Sequence, residues 1–260
     1  MSAKQQRRVA LLSEKQAVRR GKRDPQRELA LADQSVPAVS RAAPPLQAKT
    51  RAQKDLIRSI HDNTVTVGVG PAGTGKTYVF GAMAADALRD RRTEKVFITR
   101  PAVEAGESLG FLPGELDEKF EPYFRPFRDV LHERMGKGNA DYLIRQGRIE
   151  AIPIAYLRGM TFKDCWVILD EAQNTTPKQM KLFLTRIGEN CKVLINGDIE
   201  QMDITGVSGL EDACNRLQTV DGFNVVRFEQ EDIVRSGFVQ QVVEAYEGKR
   251  RRVLHLDDAD

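Results

Sequence analysis

Aromatic residues are missing from the first 77 positions of this 260-residue chain, in which Tyr78 is the first. Prolines at positions 25, 37, 44 and 45 interrupt any long helix in this region, and basic residues cluster at Arg19-Arg20 and Lys22-Arg23. A segment of this composition buries too little apolar surface to offset the entropy lost on ordering. The sequence therefore predicts a basic, disordered tail at 1–48, a folded domain at 49–248 and a charged tail at 249–260.

Acidic residues are also scarce at the start of the chain. Residues 1–55 contain 13 Lys or Arg against 5 Asp or Glu, whereas the remainder contains 27 against 32. One interpretation of the basic segment is a solvated tail. The other is an arm that contacts nucleic acid, with an affinity that falls as salt rises.

Long apolar runs and paired cysteines are absent from the sequence. No stretch approaches eighteen apolar residues, and the first thirty residues lack the apolar core of a secretory signal. The three cysteines, Cys165, Cys191 and Cys214, form no C-x-x-C pair, which argues against a disulfide framework or a zinc site. We expect small core cysteines in a reducing compartment, and hence a cytoplasmic protein without a membrane partner.

A glycine-rich segment at 70–77 fits the phosphate-binding pattern G-x-x-x-x-G-K-[ST]. Its members are Gly70, Pro71, Ala72, Gly73, Thr74, Gly75, Lys76 and Thr77. A β-branched run precedes it and an apolar, helix-like run follows, which is the context that a P-loop requires. Lys76 would reach the β- and γ-phosphates of ATP or GTP, and the Thr77 hydroxyl would bind Mg²⁺.

Predicted strands and helices alternate along the rest of the chain. Strands are expected at 64–69, 95–99, near 149–154, 166–169, 192–195 and 224–228, and helices at 50–62, 78–88, near 209–217 and 238–246. A further helix should start with Thr176 as N-cap, Pro177 in the first position and Gln179 completing a capping box. Residues 103–144 read as an inserted helical element. This pattern predicts an α/β fold with a doubly wound, mostly parallel sheet and helices on both faces.

Polar residues follow several of the predicted strands, at the edge where ligands bind in such sheets. Arg100, Asp170-Glu171 and Asp198 occupy these positions. Asp170 would help to hold Mg²⁺, and Glu171 would polarise the water that attacks the γ-phosphate. Gln201 could hydrogen-bond that phosphate or that water. The alternatives are an ordinary acidic loop after a strand and a turn capped by Asp198.

Arg235 lies between the last predicted strand and the last predicted helix. An arginine here could stabilise charge on the transferring phosphoryl group, or could form only a surface salt bridge. Arg100 and Arg158 are weaker candidates than Arg235 for this role when sequence spacing alone is considered.

Several segments together resemble the PhoH family of P-loop ATPases, whose core fold is related to that of superfamily 1 helicases. They are the P-loop, Arg100-Pro101-Ala102-Val103, residues 106–114, Tyr156-Leu157-Arg158-Gly159, residues 169–174, Gly197-Asp198 and Gln201. The resemblance covers about residues 50–247 and implies a RecA-like domain. It also implies that Gln53 reads the adenine edge, which favours ATP, and that Gln173 lies near the γ-phosphate. Arg235 matches the late arginine of the family, which implies that it acts in catalysis, in a neighbouring subunit if the protein forms a ring.

The sequence departs from the family pattern at two places. Met160 stands where Arg-Gly-Arg-Thr would place a second arginine, and Ser236-Gly237 replaces a common His-Pro. Some relatives carry an N-terminal PIN ribonuclease domain. Because the sequence has no acidic cluster and no domain-sized segment before the P-loop, we expect no nuclease activity.

The sequence thus predicts an Mg²⁺-dependent ATPase that binds or remodels RNA or single-stranded DNA as an oligomer, most simply a closed ring. The alternative is a module in which ATP controls assembly or protein binding. A metabolic kinase is disfavoured because Glu171 and Gln201 together suit water as the acceptor.

Overall fold

The computed structural model describes residues 43–101, 116–234, 237–239 and 242. Its α-helices are α1 (Arg51–Asp62), α2 (Lys76–Arg89), α3 (Leu116–Met135), α4 (Lys137–Arg145), α5 (Pro177–Leu184) and α6 (Gly209–Arg216). Its strands are β1 (Val65–Val69), β2 (Lys95–Thr99), β3 (Ile149–Ala151), β4 (Cys165–Leu169), β5 (Lys192–Gly197) and β6 (Phe223–Arg227). Short 3-10 turns cover Ile154–Leu157, Ala172–Asn174, Ile199–Gln201 and Gln230–Asp232.

The described strands form one sheet in the order β3-β2-β4-β5-β1-β6, and every pairing in it is parallel. Successive side chains point to opposite faces, so Val96 and Ile98 belong to one buried cluster and Phe97 to the other. Helices α1, α2 and α3 cover the first face, and α5 and α6 cover the second. The predicted doubly wound α/β fold is therefore confirmed.

The strand order brings the carboxyl ends of distant segments together. Strand β5 lies between β1 and β4, with Val69 opposite Gly197 and Leu169 opposite Ile195. Because all three strands run the same way, the loops that follow them meet at one edge of the sheet. This register places the glycine-rich loop beside the two polar loops that follow β4 and β5.

Helix starts follow the local sequence closely. Thr176 accepts a hydrogen bond from the Gln179 backbone and the Gln179 side chain accepts one from the Thr176 backbone, which confirms the predicted capping box. Thr50 caps α1 by accepting a hydrogen bond from the Gln53 backbone, while the Gln53 side chain accepts from the Lys49 backbone instead. These caps satisfy N–H groups that the first turn of a helix leaves unpaired.

Some boundaries differ from the predicted ones. Strand β3 ends at Ala151 instead of near residue 154, because Pro153 lacks the N–H of a ladder residue and instead caps the following 3-10 turn. Strand β5 continues two residues further, to Gly197. Helices α3 and α4 account for most of the predicted insertion, whereas residues 106–114 lie outside the described residues, as does most of the predicted last helix.

The three cysteines are free and buried, as predicted for core residues. Cys165 and Cys191 are nevertheless neighbours in space, with 3.8 Å between their Sγ atoms. Within the described ranges, no helix is long and apolar enough to cross a membrane.

Candidate functional site

The loop between β1 and α2 depends on glycine at defined positions. Gly70, Gly73 and Gly75 have φ values of 143°, 81° and 82°, a region that other residues rarely adopt. A Cβ at Gly70 would also overlap the carbonyl oxygen of Phe228. Gly75 is the N-cap of α2 and has no side chain to cap the helix, so the first N–H groups of α2 are open to an anionic ligand.

A cavity of about 370 Å³ opens above this loop. Its walls include the loop residues Ala72, Gly73, Gly75, Lys76 and Thr77, and the polar residues Glu171, Asn196, Asp198 and Gln201. These residues come from the ends of β1, β4 and β5 and from the start of α2. Of the polar residues predicted at the strand ends, Glu171 and Asp198 line the cavity, whereas Arg100 and Asp170 do not.

Lys76 is the cationic group of this cavity. Its ammonium donates hydrogen bonds to the carbonyl oxygens of Gly70 and Pro71, both at 2.7 Å, and to Thr74 Oγ1 at 3.1 Å. Burial lowers its pKa, and the charges of Asp198, Glu171 and Asp170 oppose that shift. A triphosphate beside Lys76 would add negative charge and favour the ammonium form further.

Thr77 and Asp170 are joined by one amide group. Asn196 Nδ2 donates to Thr77 Oγ1 at 2.9 Å and to Asp170 Oδ1 at 2.6 Å. Burial and the nearby Glu171 charge raise the pKa of Asp170, which is only 6% exposed. A hydroxyl and a carboxylate brought together in this way fit Mg²⁺, which prefers few protein oxygens and completes its shell with phosphate and water.

The part of the chain that the structure describes holds no group of three or more His, Cys, Asp or Glu side chains able to hold a metal ion.

Glu171 follows Asp170 and lines the cavity in a strained backbone conformation. Its φ is 50°, in the left-handed region, which costs a residue with a side chain roughly 1–3 kcal/mol. Its carboxylate accepts a hydrogen bond of 2.6 Å from Gln173 Nε2 and lies 3.9 Å from the Arg100 guanidinium. The side chain is thus held at the cavity wall by two neighbours.

Gln173 is buried next to the cavity and connects two of its loops. It is 1% exposed and is not among the residues that line the cavity. Its Oε1 accepts from the Asp198 backbone at 3.0 Å, and its Nε2 donates to Glu171 and, at 3.3 Å, to the Gln201 carbonyl. Gln173 therefore links the loop after β4 to the loop after β5.

Asp198 and Gln201 belong to the loop that Gln173 holds. Asp198 caps the turn at Ile199–Gln201 by accepting from the Glu200 backbone at 3.1 Å, and it also lines the cavity. Asp198 therefore caps a turn, as one interpretation of the sequence predicts, and it also lies in the cavity wall, as the functional interpretation requires. Gln201 is exposed at the mouth of the cavity.

Gln53 is buried behind the glycine-rich loop. Its Nε2 donates to the Thr74 carbonyl at 2.9 Å, and its Oε1 accepts from the Lys49 backbone at 2.8 Å. Arg235 lies outside the described residues, although the preceding Val234 donates its N–H to the Gly73 carbonyl at 3.0 Å. Arg158 is exposed and does not line the cavity.

Comparison with protein families gives one decisive match. A family model described as PhoH-like protein matches residues 45–247. This chain belongs to the PhoH-like family. The resemblance predicted from the sequence motifs is therefore confirmed.

Curated relatives of this PhoH-like protein agree with the assignment. It is 48% identical over 204 residues to the PhoH-like protein of Bacillus subtilis, an alignment that covers 78% of this chain and 64% of the relative. It is 46% identical over 211 residues to protein PhoH of Escherichia coli K12, covering 80% of this chain and 60% of the relative. The chain thus spans about three fifths of the length of these relatives.

Solved structures resemble the PhoH-like chain more distantly. The UvsW helicase from bacteriophage T4 gives a TM-score of 0.43 at 11% identity, covering 73% of this chain and 63% of that structure. The Pif1 helicase from Candida albicans gives 0.41 at 13% identity, covering 78% and 44%. Similarity at this level says nothing about activity.

Asn196 lines the cavity of this PhoH-like protein, but the sequence motifs did not identify it as a candidate site residue. It is 6% exposed, lines the cavity and bridges Thr77 to Asp170, while its Oδ1 atom has no hydrogen-bond partner among the described residues. A buried, unpaired amide oxygen is costly unless a ligand or water satisfies it. The available signal was a polar residue at the end of an apolar strand, next to Gly197 and Asp198.

Proposed function

We propose that this PhoH-like protein binds ATP with Mg²⁺ at the sheet edge and hydrolyses the β–γ phosphoanhydride bond. One observation carries the proposal: the Lys76 ammonium, the Thr77 hydroxyl and the Glu171 carboxylate line a single cavity, and Asn196, in the same wall, joins Thr77 to the Asp170 carboxylate. These are the groups needed to bind a triphosphate, to hold its cation and to activate water. The Glu171 carboxylate at the cavity wall favours hydrolysis over a nucleotide switch that does not hydrolyse, because a carboxylate there can polarise the attacking water.

Each residue has a role that follows from its chemistry. Lys76 would neutralise charge on the β- and γ-phosphates, and Glu171 would orient and polarise the attacking water. Mg²⁺, held by Thr77 and Asp170, would supply further stabilisation of the charge that develops on the phosphates. Gln201, at the mouth of the same cavity, would contact the γ-phosphate or that water, and Arg235 remains our proposed source of a further positive charge.

We also propose that hydrolysis is coupled to single-stranded RNA or DNA. The Arg100 guanidinium lies over the Tyr123 ring, 4.7 Å from its centroid, and Tyr123 is 39% exposed. Exposed aromatic rings next to arginine are typical platforms for unpaired bases. Because Arg100 also lies 3.9 Å from Glu171, a nucleic acid that moves Arg100 would change the surroundings of the proposed catalytic carboxylate.

Steady-state ATP hydrolysis tests both parts of this proposal. Rates would be compared with and without single-stranded RNA and DNA, at low and moderate salt, with Glu171→Gln as the inactive reference. Stimulation by nucleic acid that weakens with salt is the expected result. Hydrolysis that ignores both RNA and DNA would contradict the coupling, and no hydrolysis above the reference would contradict the ATPase itself.

A second candidate function is an ATP-controlled assembly or protein-binding module. The observation behind this candidate is that Phe238 is 75% exposed and Val207 is 60% exposed, so both apolar side chains are available to a partner. Size-exclusion chromatography with light scattering, with and without ATP, tests this function. A mass that ATP leaves unchanged would count against assembly control.

A further inference from the structure

Tyr156 and Arg158 lie in one of the segments that carry the family resemblance, but neither side chain lines the nucleotide cavity. Tyr156 is 58% exposed, and Arg158 is exposed as well. Ile154 and Leu157, in contrast, are buried in the apolar cluster of the second sheet face. The segment is therefore anchored on its inner side while it presents an aromatic ring and a guanidinium to solvent.

The backbone of this segment is a 3-10 turn followed by a type II β-turn. Arg158 has φ and ψ of −59° and 126°, and Gly159 has a φ of 82°. The Met160 N–H donates to the Leu157 carbonyl at 3.2 Å, which closes a turn of the type that favours glycine in its third position. No heavy atom of the described residues lies within 4 Å of the point that a Cβ of Gly159 would occupy, so the outer side of the turn is open.

This segment adjoins the Arg100–Tyr123 pair at the carboxyl edge of the sheet. The Ile154 N–H donates to the Arg100 carbonyl at 3.2 Å, which continues the parallel pairing of β3 with β2. The turn that carries Tyr156 therefore starts beside Arg100. Two exposed tyrosines and two arginines thus share the edge on the side of β2 and β3, whereas the nucleotide cavity lies at the ends of β1, β4 and β5.

The surroundings of the turn are basic, although the chain beyond residue 55 is acidic overall. Residues 151–163 and 172–188 together contain five Lys or Arg and no Asp or Glu, whereas the chain beyond residue 55 contains 27 against 32. The two stretches are neighbours in space, since Phe162 forms a parallel bridge with Ile187 and α5 packs against the 3-10 turn. An acidic protein segment would match the charge but offers no flat rings to exposed tyrosines. A single strand of nucleic acid offers both phosphates and unpaired bases.

We propose that Tyr156 and Arg158 form a second contact for single-stranded RNA or DNA, next to the Arg100–Tyr123 pair. Tyr156 stacks on a base and Arg158 binds a neighbouring phosphate, and neither contact depends on the base sequence. The strand lies along the β3 side of the sheet edge and reaches Arg100, which is 3.9 Å from Glu171. This inference rests on the proposed coupling to nucleic acid and adds to it the residues that hold the strand.

Fluorescence anisotropy of the full chain with a labelled single strand of about 20 nucleotides tests the proposal, with RNA and DNA of one sequence as separate arms. Tyr156→Ala should weaken binding about tenfold without changing its dependence on salt, because the stacked ring carries no charge. The same variant should bind duplex DNA nearly as the wild type does, since the bases of a duplex are already stacked. Arg158→Ala should weaken binding and also reduce the slope of log affinity against log salt by about 0.7, because one phosphate contact is lost.

Two further variants serve as controls. Tyr156→Phe keeps the ring and should bind the single strand like the wild type. Arg58→Ala removes an arginine whose side chain is 83% exposed on α1, a helix of the other sheet face, and should change neither the affinity nor the salt slope. All four variants should unfold at nearly the wild-type temperature, because the side chains they alter are exposed.

Three outcomes would contradict the proposal, and they differ in what they leave standing. Single-strand affinities of Tyr156→Ala and Arg158→Ala equal to that of the wild type would overturn the assignment and point to a protein partner for this surface. Equal losses for single strand and duplex in Tyr156→Ala would overturn the stacking contact. If the wild type bound neither RNA nor DNA, the proposed coupling itself would fail, while the ATPase part of the proposed function has its own test.

Discussion

Glu171 combines an unfavourable backbone conformation with a position on the cavity wall. Its left-handed φ of 50° is held by the surrounding structure, which is typical of residues placed for function. We expect Glu171→Gln to bind ATP like the wild type but to lower kcat by about 10²–10⁴-fold, because the amide keeps the hydrogen-bonding shape and loses the base. Phosphate release measured alongside ATP affinity checks this expectation.

A surface glutamate provides the matched control for that measurement. Glu189 is 83% exposed in its side chain and contacts Lys163, away from the cavity. Glu189→Gln should leave both kcat and ATP affinity unchanged. Rapid turnover by Glu171→Gln would show that another group activates the water.

Asp170 is expected to reduce the stability of the ligand-free protein. Its pKa lies above the ordinary value of 3.8, chiefly because of burial and then because of the Glu171 charge. The folded state thus holds this proton more tightly than the unfolded chain, so stability is lost as the pH rises through the folded-state pKa. Without nucleotide and Mg²⁺, Asp170→Asn should therefore unfold at a higher temperature than the wild type at neutral pH.

The pH dependence distinguishes this cause from a general effect of the substitution. Thermal unfolding followed from neutral to acid pH should show the advantage of Asp170→Asn shrinking, because the wild-type carboxyl becomes neutral too. Asp221→Asn, at an exposed position, serves as the control. A variant less stable than the wild type at neutral pH would argue that Asp170 is satisfied in the ligand-free fold.

At the scale of elements, the contact between α2 and α3 depends on a buried ion pair. Arg134 and Asp86 are 4% and 8% exposed, and Arg89 also contacts Asp86 at 2.8 Å. Arg134→Leu should destabilise the fold by about 3 kcal/mol, since it leaves a buried carboxylate with one partner fewer. Chemical denaturation measures the difference, and Arg51→Leu, whose side chain is 95% exposed, should change stability by less than about 0.5 kcal/mol.

Gln173 and Asn174, in the loop after β4, connect that loop to the loop after β5 through side-chain hydrogen bonds. Asn174 exchanges two hydrogen bonds with Asp203, at 3.0 and 2.8 Å, next to the contacts of Gln173. We expect Gln173→Leu to lower kcat about tenfold or more while ATP affinity stays nearly constant, because its side chain lies behind the cavity and positions Glu171. A matching loss of ATP affinity would instead support the direct phosphate contact implied by the family resemblance.

At the scale of the whole molecule, nucleotide binding should appear as thermal stabilisation. A ligand at a hundred times its Kd adds about 2.7 kcal/mol to the free energy of unfolding, which corresponds to roughly 5–10 °C for a domain of this size. MgATP should give this shift with the wild type and with Lys178→Ala, an exposed residue of α5. Lys76→Ala should lose the shift and the turnover, and an equal shift in that variant would remove Lys76 from the site.

Local features of the fold could be predicted because they depend on residues close in sequence. The capping box at Thr176, the strand–loop–helix around Lys76 and the apolar strands all follow from local patterns. Their alternation sufficed for the α/β class, since parallel strands need helical crossovers. Residues at the strand ends could likewise be named as candidates.

Contacts between distant segments required the three-dimensional structure. Asn196 joins Thr77 to Asp170 across 119 and 26 positions of the chain, and Arg134 holds Pro44 across 90. Such pairs depend on strand order and helix packing, which no short stretch encodes. The sequence was therefore sufficient for the phosphate loop and the fold class. The placement of Gln173, the bridge at Asn196 and the contact of Arg134 with Pro44 became visible only in the tertiary structure, because strand order and helix packing bring these segments together.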